Sequence, residues 1–177
     1  MTRLNSANAA NPTNLFDMNY RTGIGYDIHR FASKRKLMLG GVEIPFAKGL
    51  QGHSDADVVL HALCDALLGA MGAGDIGLHF PPGDPATCNI SSLKLLGEVA
   101  RSLRRRHFTV SNADVMVILE KPKIAPFVAD MKEKIGAVLG VSSESISIKA
   151  TTHEGVGEIG RGRAAAAYAV VLIGKTR

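Results

Sequence analysis

The sequence has no tryptophan, few other aromatics (5%) and only two cysteines among its 177 residues. Without large rings, the core must be built from Val, Ile, Leu, Ala and Met. Cys64 and Cys88 lack metal-type spacing and are too few for a disulfide framework. They point to a reducing, cytoplasmic setting, with Cys64 read as a small buried hydrophobe in a helical pattern. No apolar run approaches the roughly 20 residues that cross a bilayer, so no membrane association is expected. There is no H-E-x-x-H, no C-x-x-C, and no Gly-Lys-Ser/Thr after a glycine loop, which excludes those metal and P-loop motifs. Basic runs interleaved with aromatics are missing too. Much of the +5 net charge sits in "RSLRRRHF", at the end of a predicted helix, where it complements the helix dipole. Nucleic acid is therefore not expected as a partner. Anionic small molecules stay compatible.

What is present describes a globular chain, 46% hydrophobic and 21% charged. Residues 1–19 are Asn-rich and aperiodic, too polar for a secretory signal and too poor in Arg for a transit peptide. They are expected to be a disordered leader or an expression remnant. Residues 20–177 are expected to form one domain. Residues 21–31 read as a first strand, and "KLMLGGVEIPF" as a hairpin about Gly40-Gly41. "KGLQGHS" reads as loop. Apolar residues at helical spacing predict an amphipathic helix from Asp55 to about Met71, with Ser54 as N-cap and Gly72 and Gly74 ending it. "GDIGLHFPPGDP" reads as irregular. Further helices are predicted over 91–106 and 126–139. "ADVMVILE", "SISIKATT" and "AAAAYAVVLI" read as strands, and "GVGEIGRGR" as a glycine loop. The fold class is α+β, a two-layer subunit with a mixed sheet and helices on one face. The strands are apolar on both sides, which suggests that the uncovered face is buried against other subunits.

Within this frame, "GYDIHRF" places Asp27 and His29 two apart on a strand, so both side chains share one face. The helix carries Asp57, His61 and Asp65 at i, i+4, i+8, which keeps them on one side. Two imidazoles and a carboxylate are a catalytic zinc set with an open fourth position, and Asp57 or Asp65 would serve as the outer partner of a liganding ring. A hydrogen-bonded surface pair and a solvated helix face are the alternatives. His53 and Ser54 stand at the mouth of the helix, where backbone N–H groups favour an anion, unless Ser54 only caps. Asp75 lies between glycines and either satisfies backbone N–H groups or holds a substrate hydroxyl. "TTHEGVGEIGRGR" offers hydroxyls and close backbone approach to a phosphate, and Glu154 suits a hard cation such as Mg²⁺.

"GYDIHRF", "HSDADVVLHALCDALLGAMGAGDIGLHFPPGDP", "EKPKIAPF" and "KATTHEGVGEIGRGR" together resemble the 2-C-methyl-D-erythritol 2,4-cyclodiphosphate synthase family of non-mevalonate isoprenoid biosynthesis, over about residues 21–174. The resemblance implies a CMP-releasing phosphorus–oxygen lyase. Its reaction cyclises 4-diphosphocytidyl-2-C-methyl-D-erythritol 2-phosphate to 2-C-methyl-D-erythritol 2,4-cyclodiphosphate. It implies a homotrimer with sheets facing the trimer axis and active sites between adjacent subunits. It makes Asp27, His29 and His61 the ligands of one Zn²⁺ per subunit, with Asp27 also bordering substrate, and Glu154 the ligand of a Mg²⁺ or Mn²⁺ that bridges the diphosphate. His53, Ser54, Asp75, Thr152 and Glu154 match catalytic positions. His53 and Ser54 lie near the substrate phosphates, and Asp75, Ile76, Gly77 and Phe80 near the methylerythritol. Pro122, Lys123, Ile124 and Ala125 match the segment that wraps the cytidine diphosphate. Thr151 and Thr152 match nucleotide-phosphate contacts, and Ala150 and Arg161 are further substrate-binding positions.

Two departures stand out. The family often has Asp where Pro82 stands, and an aromatic and a Glu where Glu158 and Arg163 stand. Glu158 argues against a lipid-like ligand along the trimer axis, while Arg161 remains free to pair with it or to bind an anion. Two other functions use the same residues. A zinc-dependent phosphoesterase would release phosphate without a cyclic product. A silent trimeric cytidine-nucleotide-binding module would bind without turnover.

Overall fold

A computed structural model describes residues 20–81, 83 and 90–176. The expected leader, Pro82 and Cys88 lie outside the described residues. Alternating apolar residues build a sheet of five strands in the order β4-β1-β7-β5-β6. They are β1 (Tyr20–Ala32), β4 (Gly49–Leu50), β5 (Phe108–Ile118), β6 (Ile146–Thr151) and β7 (Ala164–Lys175). β2 (Leu37–Leu39) and β3 (Val42–Ile44) form a separate hairpin. Gly40 and Gly41 take its turn at φ +57° and +77°, where side chains with a Cβ are strained. β5 and β6 run parallel because a helix joins them, while β7 is antiparallel to both β1 and β5. The sheet is mixed, as expected.

Helix α1 (Val58–Met71) packs on β1 and β7, and α3 (Ser92–Arg105) packs on α1, on α4 (Val128–Leu139) and on β5. The helices thus form one layer. Leu60, Leu63 and Leu67 of α1 are fully buried, each contributing about 1.5–3 kcal/mol. What lets α1 lie directly on β1 is the absence of side chains at Gly23 and Gly25. A Cβ at Gly23 would stand 1.9 Å from the Ala66 carbonyl oxygen, and one at Gly25 1.9 Å from that of Ala62.

The opposite face of the sheet is uncovered. Ile24, Tyr26 and Ile28 of β1 and Tyr168 and Val170 of β7 are exposed. The rings of Tyr26 and Tyr168 meet with centroids 4.6 Å apart.

The structure corrects several expectations. α1 begins at Val58, and its N-cap is Asp57 rather than Ser54. The Asp57 carboxylate accepts from Val59 and Leu60 N–H and also from Gly40 and Gly41 N–H, so one buried group caps the helix and ties down the hairpin. Four backbone donors explain why that position outcompetes a neutral serine. α1 is also buried nearly all round rather than solvated on its polar side. In the segments read as loop, Gly49–Leu50 pairs with Phe31 and Ala32. Two single helical turns, α2 (Ile76–His79) and α5 (Gly157–Gly160), interrupt the glycine-rich stretches. These turns are too short to show a period.

Candidate functional site

β1 and α1 build the first part of the site. Odd-numbered residues of β1 face the helix layer, so Asp27 and His29 project toward α1. His61 stands one turn into α1 and meets them. Asp27 Oδ2 lies 3.0 Å from His29 Nε2 and 2.9 Å from His61 Nδ1, and the two ring nitrogens are 3.2 Å apart. The three side chains keep 22%, 21% and 12% of their surface, so they are nearly but not wholly sealed.

Burial pushes the Asp27 carboxyl upward, but the hydrogen bonds and charges of His29 and His61 outweigh it and hold the group well below the carboxylate range. Burial pushes His61 downward. The hydrogen bond and charge of Asp27, with Asp57 and Asp55 behind, reverse this and raise it. The donor set suits a borderline cation, two imidazole nitrogens and a carboxylate oxygen. Tetrahedral bonds of about 2.05 Å set ligand atoms about 3.3 Å apart, close to the separations here.

Beside the triad is a pocket of about 150 Å³, lined by His29, His53, Ser54, His61, Ile76, Gly77, Phe80, Ile90 and Leu95. His53, Ser54, Ile76, Gly77 and Phe80, which the family resemblance names as site positions, all line it beside the Asp27–His29–His61 triad. Asp75 caps α2 by accepting from Leu78 N–H at 2.9 Å. α2 itself hangs from α1, because Asp65 accepts from Ile76 N–H at 2.7 Å. Neither Asp57 nor Asp65 is hydrogen-bonded to a ring nitrogen. The outer nitrogen of His61, Nε2, instead meets the hydroxyls of Ser54 at 3.0 Å and Ser92 at 2.9 Å. Sequence reading missed Ser92 in this role. Ser92 opens α3, 31 residues from His61, and no periodicity links the two.

A second group forms where β5 and β6 end. Leu119 N–H donates to the Thr151 carbonyl at 3.1 Å, and His153 N–H to Glu120 at 2.8 Å. These bonds tie the segment holding Pro122, Lys123, Ile124 and Ala125 to the loop after Ala150 and Thr151. Ile124 is buried, while Thr151, Thr152 and Glu154 are exposed. Thr152 Oγ1 donates to Glu154 Oε1 at 2.5 Å. Glu154 sits at φ +49°, a left-handed conformation. Arg161 and Arg163 both reach Glu158, at 3.2 and 3.4 Å. The hydrogen bond from Arg161 comes first among the causes that lower the Glu158 carboxyl.

The two groups are separate within the chain. Asp27 pairs with Ala167, Ala167 with Val117, and Val117 with Ala150, along one row of the sheet. Three strand spacings, about 14 Å, therefore lie between Asp27 and Ala150.

A mixed sheet, a helix pressed onto its glycines and a carboxylate–imidazole cluster at the contact define an α+β protein with a candidate metal site. The chain matches the YgbB family over residues 20–174 and belongs to that family. It is 58% identical over 151 residues to the 2-C-methyl-D-erythritol 2,4-cyclodiphosphate synthase of Symbiobacterium thermophilum, covering 85% of this chain and 96% of that one. It superposes on the bifunctional IspDF from Campylobacter jejuni with a TM-score of 0.86 and 38% identity, over 90% of this chain but 43% of that longer one. A CDP complex of IspF from Plasmodium falciparum matches with a TM-score of 0.79 and 32% identity, over 90% of this chain and 98% of that one.

Proposed function

We propose that this protein cyclises 4-diphosphocytidyl-2-C-methyl-D-erythritol 2-phosphate to 2-C-methyl-D-erythritol 2,4-cyclodiphosphate and releases CMP. The observation that carries this reading is the triad of Asp27, His29 and His61, converged within hydrogen-bond distance beside the pocket of His53, Ser54 and Gly77. Its donors suit Zn²⁺. At the other group, the Glu154 carboxylate is a hard oxygen donor suited to Mg²⁺ or Mn²⁺. When bound, these ions supply Lewis-acid charge neutralisation and a template for the diphosphate.

The 2-phosphate oxygen attacks the β-phosphorus in line, and CMP departs. No protein nucleophile is needed. His53 and Ser54 flank the substrate phosphates at the pocket wall. Asp75 holds the methylerythritol hydroxyls, and Ile76, Gly77 and Phe80 enclose the sugar chain. Pro122 to Ala125 cradle the cytidine diphosphate, with Ala150, Thr151 and Thr152 on its phosphates and Arg161 nearby. Most of the rate comes from holding two ends of one substrate together and from stabilising charge on the transferring group.

The 14 Å between the two groups supports a shared site. One chain supplies the metal half, and a neighbour in a homotrimer supplies the nucleotide half. The exposed face of Ile24, Tyr26, Ile28, Tyr168 and Val170 gives such an assembly its contact surface. No described helix is long and apolar enough to cross a membrane, and a cytoplasmic setting fits the reduced cysteine usage. The deciding experiment is incubation of purified protein with the substrate and Mg²⁺. CMP together with the cyclic product is expected. Inorganic phosphate without the cyclic product identifies a phosphoesterase, and binding of CDP with no turnover a nucleotide-binding module.

A further inference from the structure

Behind the triad lies a set of hydrogen bonds that the reaction does not use. Ser92 is fully buried. Its hydroxyl donates to Asp55 Oδ1 by a short hydrogen bond, and its backbone N–H donates to Asp55 Oδ2 at 3.0 Å. Ser91, the N-cap of α3, makes no side-chain cap bond. Asp55 therefore closes that helix end from outside. The Ser92 oxygen also lies 2.9 Å from His61 Nε2.

We propose that Asp55 and Ser92 form a relay that keeps the proton of His61 on Nε2 and leaves Nδ1 bare for the metal. Asp55 and Ser92 are positioning residues, and the role rests on the reading of Asp27, His29 and His61 as metal ligands. The donor inventory enforces it. Both donors of Ser92, O–H and N–H, are committed to one carboxylate that can only accept. The Ser92 oxygen then has lone pairs alone to offer, so the ring nitrogen facing it must carry the hydrogen. His61 Nδ1, on the other side of the ring, points at Asp27 and His29. Ser54 cannot do the same work. Its hydroxyl accepts from Ala56 N–H and has no carboxylate behind it, so its own proton is free to turn into the pocket. The two serines near one ring thus divide the labour: Ser92 sets the tautomer and Ser54 faces the substrate.

Asp55→Asn tests this sharply, because it is nearly isosteric. Its amide oxygen must face Ser92 N–H, which can only donate. Its NH₂ is left facing the Ser92 oxygen. The serine hydroxyl is thereby turned toward His61 Nε2 as a donor, and the imidazole proton is driven to Nδ1. Zinc affinity, measured by competition with a chromogenic chelator, should fall 10- to 100-fold in Asp55→Asn and in Ser92→Ala. The double variant should be no worse than Ser92→Ala alone, since one relay is broken once. Ser54→Ala should change zinc affinity no more than about threefold, the scale of one dispensable hydrogen bond. At a pH high enough that the metal-free ring holds a single hydrogen, ring ¹⁵N spectra should show it on Nε2 in the parent and on Nδ1 in Asp55→Asn. Parent-like zinc affinity in folded Asp55→Asn overturns the relay, as does equal loss in Ser54→Ala and Ser92→Ala. If Ser92→Ala does not fold, Asp55→Asn decides alone. A parent chain that binds no zinc overturns the metal reading instead, and the ring spectra then judge the relay by themselves.

Discussion

Asp27, His29 and His61 retain 22%, 21% and 12% of their side-chain surface, and each is held by groups of its own chain. Thr151, Thr152 and Glu154 are open to solvent, and the Glu154 carboxylate has only Thr152 as hydrogen-bonded side-chain partner among the described residues. The first cluster is finished within one subunit. The second is a frame in which Leu119 N–H meets the Thr151 carbonyl and the Glu120 side chain holds His153 N–H, with Thr151, Thr152 and Glu154 exposed beside it. Pre-organised ligands suit an ion that must be caught and kept. An open frame suits a ligand that must enter and leave.

Breaking the metal cluster should have the largest effect. His61→Ala should abolish tight zinc binding and lower CMP release at least about 100-fold, the scale of one lost electrostatic contact, while circular dichroism stays parent-like. Full turnover in this variant, or in chelated protein, would sink the metal half. The division into halves is tested by co-expressing His61→Ala with Glu154→Gln, each nearly inactive alone. If sites form between subunits around a ring, about one site in four regains both intact halves, and activity should return accordingly. No recovery in mixed assemblies would place both halves in one chain.

Gly25→Ala comes next. The new Cβ would meet the Ala62 carbonyl oxygen at 1.9 Å, lifting α1 and costing about 3 kcal/mol or more. Thermal melting should show that loss, with zinc affinity falling in step as His61 retreats from β1. A smaller effect is expected at the open frame. Thr152→Ala should lower turnover roughly 10-fold, the low end for one hydrogen bond to a charged group, with zinc content unchanged. Equal loss of zinc would mean that the halves are not independent.

The smallest effect is on pH dependence, and it sets Asp27 and His61 apart by sign. In metal-free protein Asp27 lies below its ordinary 3.8, so its contribution is present above that value and is lost as pH falls through the depressed folded value. His61 lies above its ordinary 6.5, so its contribution is complete below 6.5 and is lost as pH rises through the raised value. Metal-free melting temperature should therefore peak between about 4 and 6.5 and decline on the alkaline side. Zinc affinity should run the other way, rising as His61 Nδ1 gives up its proton. A metal-free chain that gains stability above neutrality contradicts the Asp27–His61 pairing.

Sequence reading reached the strands other than the two-residue β4, the three long helices and the hairpin, because each runs long enough to show a period or carries a glycine turn. It also reached the pocket residues His53, Ser54, Ile76, Gly77 and Phe80, through their resemblance to a family. It misplaced the cap of α1. Ser54 and Asp57 are both good caps in isolation, and only the donors of Gly40 and Gly41, from a hairpin 16 residues earlier, favour the aspartate. It assigned the outer partner of His61 to Asp57 or Asp65 for the same reason: those residues share its helix.

By itself the sequence determined that Asp27 and His29 point the same way, since strand residues two apart share a face, and that His61 lies on a helix capped near its start. The tertiary structure alone decided that these directions meet. Two glycines on β1 let the helix approach to contact, and the start of α3 delivers Ser92 to the far side of the ring. Periodicity fixes orientation within an element. Which elements touch is settled by close packing among residues distant in the chain, and the carboxylate–imidazole cluster exists only at that contact.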